Sequence, residues 1–145
     1  MRWPLTIVVL AAAALASPAP AAPTVAGARH ATVRTFAGTW IGHTRSLRIT
    51  RRGFARESIG DGCCNPVIDL KFRLSRVRGT TRDATARARV TAVHVRDHRS
   101  FSRKHPPPHV GETRRIRLRR GVIHERISGA TYCNHAAARR DVCGA

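Results

Sequence analysis

The clearest pattern in the chain lies in Val67–Val77, where apolar and polar side chains alternate from Ile68 to Ser75. One face carries the apolar residues Ile68, Leu70, Phe72 and Leu74, and the other carries Asp69, Lys71, Arg73 and Ser75. A repeat of two residues predicts a β-strand with one face buried and the other in water. This segment therefore predicts a strand of an antiparallel sheet.

The same alternation predicts further strands on both sides of this segment. They cover Trp40–Ile49, Phe54–Ile59, Ala84–Val95, Thr113–Leu118 and Val122–Ile127. Within Ala84–Val95 the apolar residues change from even to odd positions, which predicts a β-bulge near Thr91 and Ala92. Glycine-containing turns separate most of the strands, whereas 96–110 is a long polar loop with three consecutive prolines.

Six strands joined mostly by short turns describe an antiparallel meander, which either closes as a small barrel or folds over as a sandwich. We expect the barrel, stabilised by disulfides, in a single all-β domain over 36–145. Residues 22–35 have no periodicity and predict a flexible leader. Residues 136–140 predict a single helical turn.

The first 21 residues have the parts of a cleavable signal peptide. Arg2 supplies a positive charge, 5–15 is an apolar run, and Ala19-Pro20-Ala21 offers small residues before a cleavage site, with a second site after Ala28. A bilayer span needs about 20 apolar residues, so this run is too short, and no transmembrane segment is expected after processing. A retained N-terminal anchor is the alternative. The sequence thus predicts a secreted or cell-wall-associated protein.

Basic residues outnumber acidic ones by a wide margin. The chain has 27 Lys+Arg and 8 Asp+Glu, a formal net charge of +19, and cleavage after Ala21 would leave +18. Only Lys71 and Lys104 are lysines. Guanidinium groups pair bidentately with phosphate, sulfate and carboxylate, although arginine-rich coding composition is the competing explanation. Whatever its origin, a surface this positive attracts anionic polymers.

Four cysteines in a chain with a leader predict two disulfides rather than a metal site, because their spacing is not of the CxxC type. They are Cys63, Cys64, Cys133 and Cys143. A bridge between adjacent cysteines needs a strained ring. We therefore expect both bridges to join the 63–64 turn to the C-terminal tail, through loops of about 70–80 residues.

Two resemblances extend this interpretation. Gly38-Thr39-Trp40, at the start of a strand, resembles the Gly-x-Trp start of lipocalin- and avidin-like barrels, in which the tryptophan closes one barrel end and the mouth holds a small ligand. The segments FAGTWIGHTRSL (36–47), DGCCNPVIDL (61–70), TYC (131–133) and CGA (143–145) resemble a group of small secreted actinobacterial proteins, of mycobacterial type, with no known function. The second resemblance implies an exported domain and no particular activity.

Histidine spacing first suggests a metal site. His94 and His98, and likewise His105 and His109, are four residues apart. The first pair straddles a strand end and the second flanks three prolines that forbid a helix, so we expect solvated histidines, no metal and no cofactor. His43 and Arg45 are a candidate binding pair, with a packed or hydrogen-bonded histidine as the alternative for His43.

No catalytic signature is visible, and we lean against an enzyme. The serines lack a Gly-x-Ser-x-Gly context. Asp69 lies on the outward face of its strand. Glu57, Asp61 and Glu125 are isolated in sequence near arginines, which we expect to lower their pKa and make them poor general bases.

Outward-facing arginines are the candidate site for a polyanion. They are Arg48, Arg73, Arg87, Arg89, Arg115, Arg117 and Arg119. With Trp40 and Phe72 facing inward, few aromatics remain to stack on bases, so sequence-specific nucleic-acid binding is not expected. The sequence favours a non-enzymatic domain that adheres to an anionic envelope polymer or an acidic partner. The alternatives are a lipocalin-like carrier of a small ligand and an enzyme whose site is assembled from distant residues.

Overall fold

The computed structural model describes residues 29–62, 65–140 and 142–143, which form a closed barrel of eight antiparallel strands in sequence order. The strands are β1 (Gly38–Gly42), β2 (Arg45–Ile49), β3 (Phe54–Gly60), β4 (Pro66–Gly79), β5 (Asp83–Val95), β6 (Thr113–Arg119), β7 (Val122–Glu125) and β8 (Thr131–Cys133). The all-β antiparallel barrel is confirmed. The strand count is eight rather than about six.

The two additional strands have simple causes. The predicted strand Trp40–Ile49 is a hairpin, in which Gly38 pairs with Ile49 and Gly42 pairs with Arg45. Its turn contains Thr44 at φ 55°, a left-handed conformation that few non-glycine residues adopt, so the sequence carries no ordinary turn signal there. The strand β8 is only three residues long and shows too little alternation to be recognised.

The long hairpin β4–β5 follows the predicted pattern. Ile68, Leu70, Phe72 and Leu74 are buried in the barrel, as are Ala86, Ala88 and Val90 on the neighbouring strand. Lys71 pairs with Ala92 and Phe72 pairs with Val90, so Thr91 is the extra residue of a bulge. The predicted bulge near Thr91 and Ala92 is confirmed.

One end of the barrel, here called the base, is closed by a 3-10 helix, Val33–Phe36. Phe36 is fully buried, and the Trp40 indole Nε1 donates to the Phe36 carbonyl oxygen at 3.0 Å. Ala31 and Val33 pack against the core, so the ordered part begins before Phe36, inside the segment expected to be flexible. Trp40 therefore serves the base of the barrel as a packed aromatic.

The seam between β1 and β8 closes the barrel through one pair of facing residues, Ile41 and Cys133. Gly42 is buried beside this seam, and a Cβ atom there would lie 2.5 Å from the Thr131 carbonyl oxygen. Glycine is needed at position 42 because the backbones of the two strands approach too closely for a side chain.

After β8 the chain forms one helical turn, α1 (His135–Ala138), capped by the Asn134 side chain, which accepts from the Ala137 N–H at 2.8 Å. A disulfide joins Cys133 to Cys143, ten residues further on. The expected connectivity, in which both tail cysteines pair with the 63–64 turn, is therefore wrong. The helical turn folds the tail back on β8 and brings Cys143 to Cys133, a local closure that sequence spacing did not reveal.

Several predictions fall outside the described residues. They are the signal peptide over 1–21 with its cleavage sites, most of the leader, and the state of Cys63 and Cys64. In the part of the chain that is described, no helix is both long and apolar enough to cross a membrane.

Candidate functional site

The barrel end opposite the base, here called the mouth, is built from the turns and loops that follow β1, β3, β5 and β7. A cavity of about 390 Å³ lies there. Its apolar lining includes Ile59, Val67, Ile68, Leu70, Phe101, Pro106, Pro108 and Ile127. Its polar lining includes Arg45, Asp61, Ser100, His105 and Ser128. The long loop between β5 and β6 supplies Phe101 and the prolines, so this loop forms one wall of the cavity.

Two glutamates point into the barrel beside this cavity. Glu57 faces Leu47 and Leu70 on the neighbouring strands and is fully buried. Glu125 lies opposite Ile116 and is 2% exposed. Charged groups this deeply buried are costly unless they are paired or hydrogen-bonded, so their partners define what the site can do.

A hydrogen-bond cluster joins both carboxyl groups to the mouth. The Tyr132 hydroxyl and the Ser128 hydroxyl both reach Glu57 Oε1, the latter at 2.8 Å. Ser128 Oγ also lies 2.6 Å from Glu125 Oε2, and the backbone N–H groups of Ile127 and Ser128 donate to Glu125. Glu57 Oε2 is buried with no hydrogen-bond partner among the described residues. The cluster therefore has one unused acceptor.

Burial, together with the nearby Glu125 carboxyl, raises the pKa of Glu57 from 4.5 to about 7. Hydrogen bonds from Tyr132 and Ser128 and the charge of Arg45 oppose this shift but do not cancel it. The expectation that nearby arginines would lower the pKa of Glu57 is wrong, because Glu57 lies inside the barrel, where desolvation dominates. The same burial, with the charge of Glu57, raises the pKa of the Tyr132 hydroxyl, which stays a donor.

The number of hydrogens available for hydrogen bonding limits which groups in this cluster can be ionised. The Ser128 hydroxyl has one hydrogen and can donate to only one of the two carboxyl oxygens within reach. The other short contact needs a proton on a carboxyl group. The geometry therefore places one proton between the two carboxyl groups, and Glu57, whose pKa is raised, is the group that gains or loses it.

The structure separates the predicted pair His43 and Arg45. Arg45 lines the mouth cavity, whereas His43 is exposed in the hairpin turn and is not part of the lining. His43 is therefore not a packed histidine, and only Arg45 of the predicted pair lines the mouth cavity. Arg45 belongs instead with Ser128 and Asp61, which the sequence did not connect to it.

The exterior of the barrel wall carries the predicted arginines, and all seven are exposed. Strand register places several of them directly opposite other basic residues. Arg48 faces Arg56, and Arg56 in turn faces Lys71. Elsewhere on the wall Arg73 faces Arg89, and Arg87 faces Arg115. The wall thus has contiguous rows of positive charge across neighbouring strands.

A cleft of about 700 Å³ on the wall is lined by six arginines and no acidic residue, here called the arginine cleft. They are Arg76, Arg78, Arg87, Arg114, Arg115 and Arg126. A second bulge in β4 helps to form it, because the register shifts between Ser75 and Arg78 and Arg76 adopts φ 50°. Only Arg87 and Arg115 of the cleft were among the predicted polyanion-binding residues.

A few arginines are already occupied by acids. Arg117 binds Asp83 through two hydrogen bonds of 3.2 and 2.9 Å, and Arg114 binds Glu112 at 2.8 Å. Arg96 binds Asp69 at 2.7 Å. Arg117 is therefore less available to an external anion than the other predicted arginines, since its guanidinium edge is taken.

The four predicted solvated histidines, His94, His98, His105 and His109, are exposed. His105 alone lines the mouth cavity. Across the described ranges, no group of three or more His, Cys, Asp or Glu side chains is arranged to hold a metal ion.

Comparison of the chain with family models, with curated proteins and with solved structures gives no match. The candidate sites consequently depend on the geometry of this barrel alone.

Proposed function

We propose that this protein is an exported, non-enzymatic binding domain that attaches to an anionic polymer of the cell envelope through its arginine cleft. The observation that carries the proposal is the direct cross-strand pairing of Arg87 with Arg115 in a cleft without acidic lining residues. The apolar leader over 5–15 and the disulfide support a location outside the cytoplasm.

Cross-strand pairs of like charge destabilise a sheet, each by roughly 0.2–1 kcal/mol. In the arginine cleft no side chain of opposite sign relieves this repulsion between Arg87 and Arg115. A bound phosphate, sulfate or carboxylate would relieve it and accept bidentate hydrogen bonds from the guanidinium groups. The cleft is therefore better suited to an anion than to water.

The wall offers little for base stacking. Phe54, 50% exposed, is the one exposed aromatic residue within the described ranges, and the Arg73 guanidinium carbon lies 5.1 Å from its ring centroid. Because sequence-tolerant nucleic-acid grooves combine basic residues with several stacking aromatics, an envelope polymer fits this surface better. The surface therefore supports electrostatic binding and favours a polymer with repeated anionic groups.

Retention on immobilised heparin across a salt series tests the proposal. If about five cleft arginines contact the polymer, raising salt from about 50 to about 200 mM should weaken binding roughly 500-fold through counterion release. The variant Arg87→Glu/Arg115→Glu should elute at much lower salt.

The matched control is Arg139→Glu/Arg140→Glu, which changes net charge equally on an exposed segment after α1. If both double variants lose retention equally, only overall charge matters and the arginine cleft is not the site. Elution of the unmodified protein at low salt would overturn the proposal altogether.

A second candidate function, a carrier of a small ligand, is favoured by the mouth cavity. Its volume of about 390 Å³ falls in the range of small-molecule sites, about 300–1,000 Å³, and its lining is mostly apolar with a few polar groups. The base is closed by Phe36 and Trp40, so a ligand would enter from the mouth. The two functions use different parts of the barrel and do not exclude each other.

A further inference from the structure

We propose that the mouth cavity binds a small amphipathic amine, whose ammonium group is held at Ser128 in front of the two buried glutamates. This inference rests on the second candidate function, the carrier, and adds the chemical class of its ligand. Three properties of the site support it: the balance of charge around the cavity, the unused acceptor of Glu57, and the apolar lining.

The charge around the cavity is acidic, in contrast to the basic exterior. Asp61 lines the cavity, and Glu57 and Glu125 lie directly behind Ser128. Arg45 is the single arginine in the lining. The two buried carboxyl groups behind Ser128 favour a cation, because an anion paired with Arg45 would face these carboxyl groups at short range.

The proton held between the two carboxyl groups shows that the cluster requires a compensating positive charge. Two carboxyl groups meet at one hydroxyl, and the cluster compensates for its charge by retaining a proton. An ammonium group at Ser128 is one hydroxyl away from both carboxyl groups and supplies the same positive charge. Its binding would release the proton and stabilise Glu57 as a carboxylate. Glu57 Oε2, buried and without a partner among the described residues, is the acceptor left for this ionised state.

The rest of the cavity fits an apolar body. Ile68, Phe101, Pro106 and Pro108 line it, and none of them can hydrogen-bond through its side chain. An aromatic or branched hydrocarbon group would lie among these side chains with its amine directed towards Ser128. The proposed ligand is therefore an arylalkylamine or a similar small organic cation.

Isothermal titration of the purified protein with three probes of the same shape tests this assignment. The probes are 2-phenylethylamine, the neutral 2-phenylethanol and the anionic 3-phenylpropanoate. At pH 8 the amine should bind at least about tenfold more tightly than either of the others, because only the amine offsets the buried carboxyl charge. Tighter binding of the carboxylate, equal binding of all three, or no binding of the amine would overturn the proposal.

Glu57→Gln is the informative variant, because it keeps the shape and removes the charge. It should weaken amine binding by at least about tenfold, while Asp83→Asn, which removes an exposed acid paired with Arg117 on the outer wall, should leave it unchanged. If Glu57→Gln fails to fold, Ser128→Ala replaces it in the same comparison. Unchanged amine affinity in the folded variant would overturn the proposal.

Proton release provides an independent readout. Since the ammonium replaces the shared proton, amine affinity should fall about tenfold per pH unit below the titration of Glu57. The other titratable or charged groups around the ligand position are Glu125, Tyr132, Arg45, Asp61 and His105. The Glu57→Gln variant retains His105, so the pH dependence that this variant loses belongs to Glu57. Full retention of the pH dependence would contradict the proposal.

Failure of this inference is distinguishable from failure of polymer attachment. Heparin retention of the Glu57→Gln variant should equal that of the unmodified protein, and the Arg87→Glu/Arg115→Glu variant should bind 2-phenylethylamine normally. Loss of amine binding in that wall variant would show that the cavity does not hold the amine independently.

Discussion

The Tyr132 hydroxyl donates a hydrogen bond to Glu57 Oε1 inside the barrel, across 75 positions of sequence. It joins the short strand β8 to β3 and gives the buried carboxyl one of its two hydroxyl partners. The bond couples the last strand of the barrel to the titration of Glu57, and its removal should be measurable in both stability and pKa.

Replacing Tyr132 with Phe should destabilise the fold by about 1–3 kcal/mol, because a buried acceptor loses a donor while the aromatic packing stays. The pKa of Glu57 should rise further, since the hydrogen bond from Tyr132 lowers it. Urea unfolding at several pH values measures both effects. A Tyr132→Phe variant as stable as the unmodified protein at every pH measured would contradict the hydrogen bond.

Stability should fall as pH rises through the titration of Glu57. The pKa is about 4.5 in the unfolded chain and about 7 in the fold, so between these values the folded state binds more protons than the unfolded state. Protonation therefore favours the folded state, and its contribution, on the order of 1–3 kcal/mol, is lost as pH rises from about 5 to 8. The Glu57→Gln variant should lack this slope. If stability instead rose with pH in the unmodified protein, and Glu57→Gln removed that rise, the raised pKa assigned to Glu57 would be refuted.

Removing the disulfide by Cys143→Ser should destabilise the protein by about 2–3 kcal/mol in the chain-entropy model, given its short loop. The tail and α1 lie against β8, so the loss should appear first as increased hydrogen exchange after Cys133. Peptide mapping without reduction should recover Cys133 linked to Cys143. A peptide that links Cys133 to Cys63 or Cys64 would contradict the structure.

Gly42→Ala should destabilise the seam by about 1–3 kcal/mol, because the added Cβ would meet the Thr131 carbonyl at 2.5 Å. Thr39→Ala, on an exposed position of the same strand, should change stability by less than about 0.5 kcal/mol. Thermal unfolding of the two variants provides the comparison. Equal effects would mean that the seam tolerates a side chain at position 42.

The fold was predictable where one face of a strand is buried, because a shift of one residue would expose the whole apolar set. The alternation in β4 predicted its inward residues, and the change of parity within β5 predicted the bulge at Thr91. The hairpin turn at Thr44 was missed because its left-handed conformation replaces the usual glycine or asparagine. The Cys133–Cys143 bridge was missed because the strain of a bridge between adjacent cysteines was taken as a reason to pair both tail cysteines with the 63–64 turn.

The buried acids were also missed, although a signal was present. Glu57 lies between Ala55 and Ile59 in the alternation, and Glu125 lies between Ile123 and Ile127. Both glutamates thus have the parity of the inward face, and an acid at an apolar position of a strand marks an internal polar cluster. The partners of Glu57 depend on tertiary structure, since Ser128 and Tyr132 lie 71 and 75 positions further along the chain.

The narrow seam between β1 and β8 sets the order in which this molecule can be completed. Ile41 can pair with Cys133 only after β8 has been made, so the barrel stays open until nearly the whole described chain has been synthesised. During that interval the edges of β1 and of the growing sheet are unpaired. Unpaired strand edges are sites where another chain can add, so the incomplete barrel is open to wrong strand pairing until its last strand is in place.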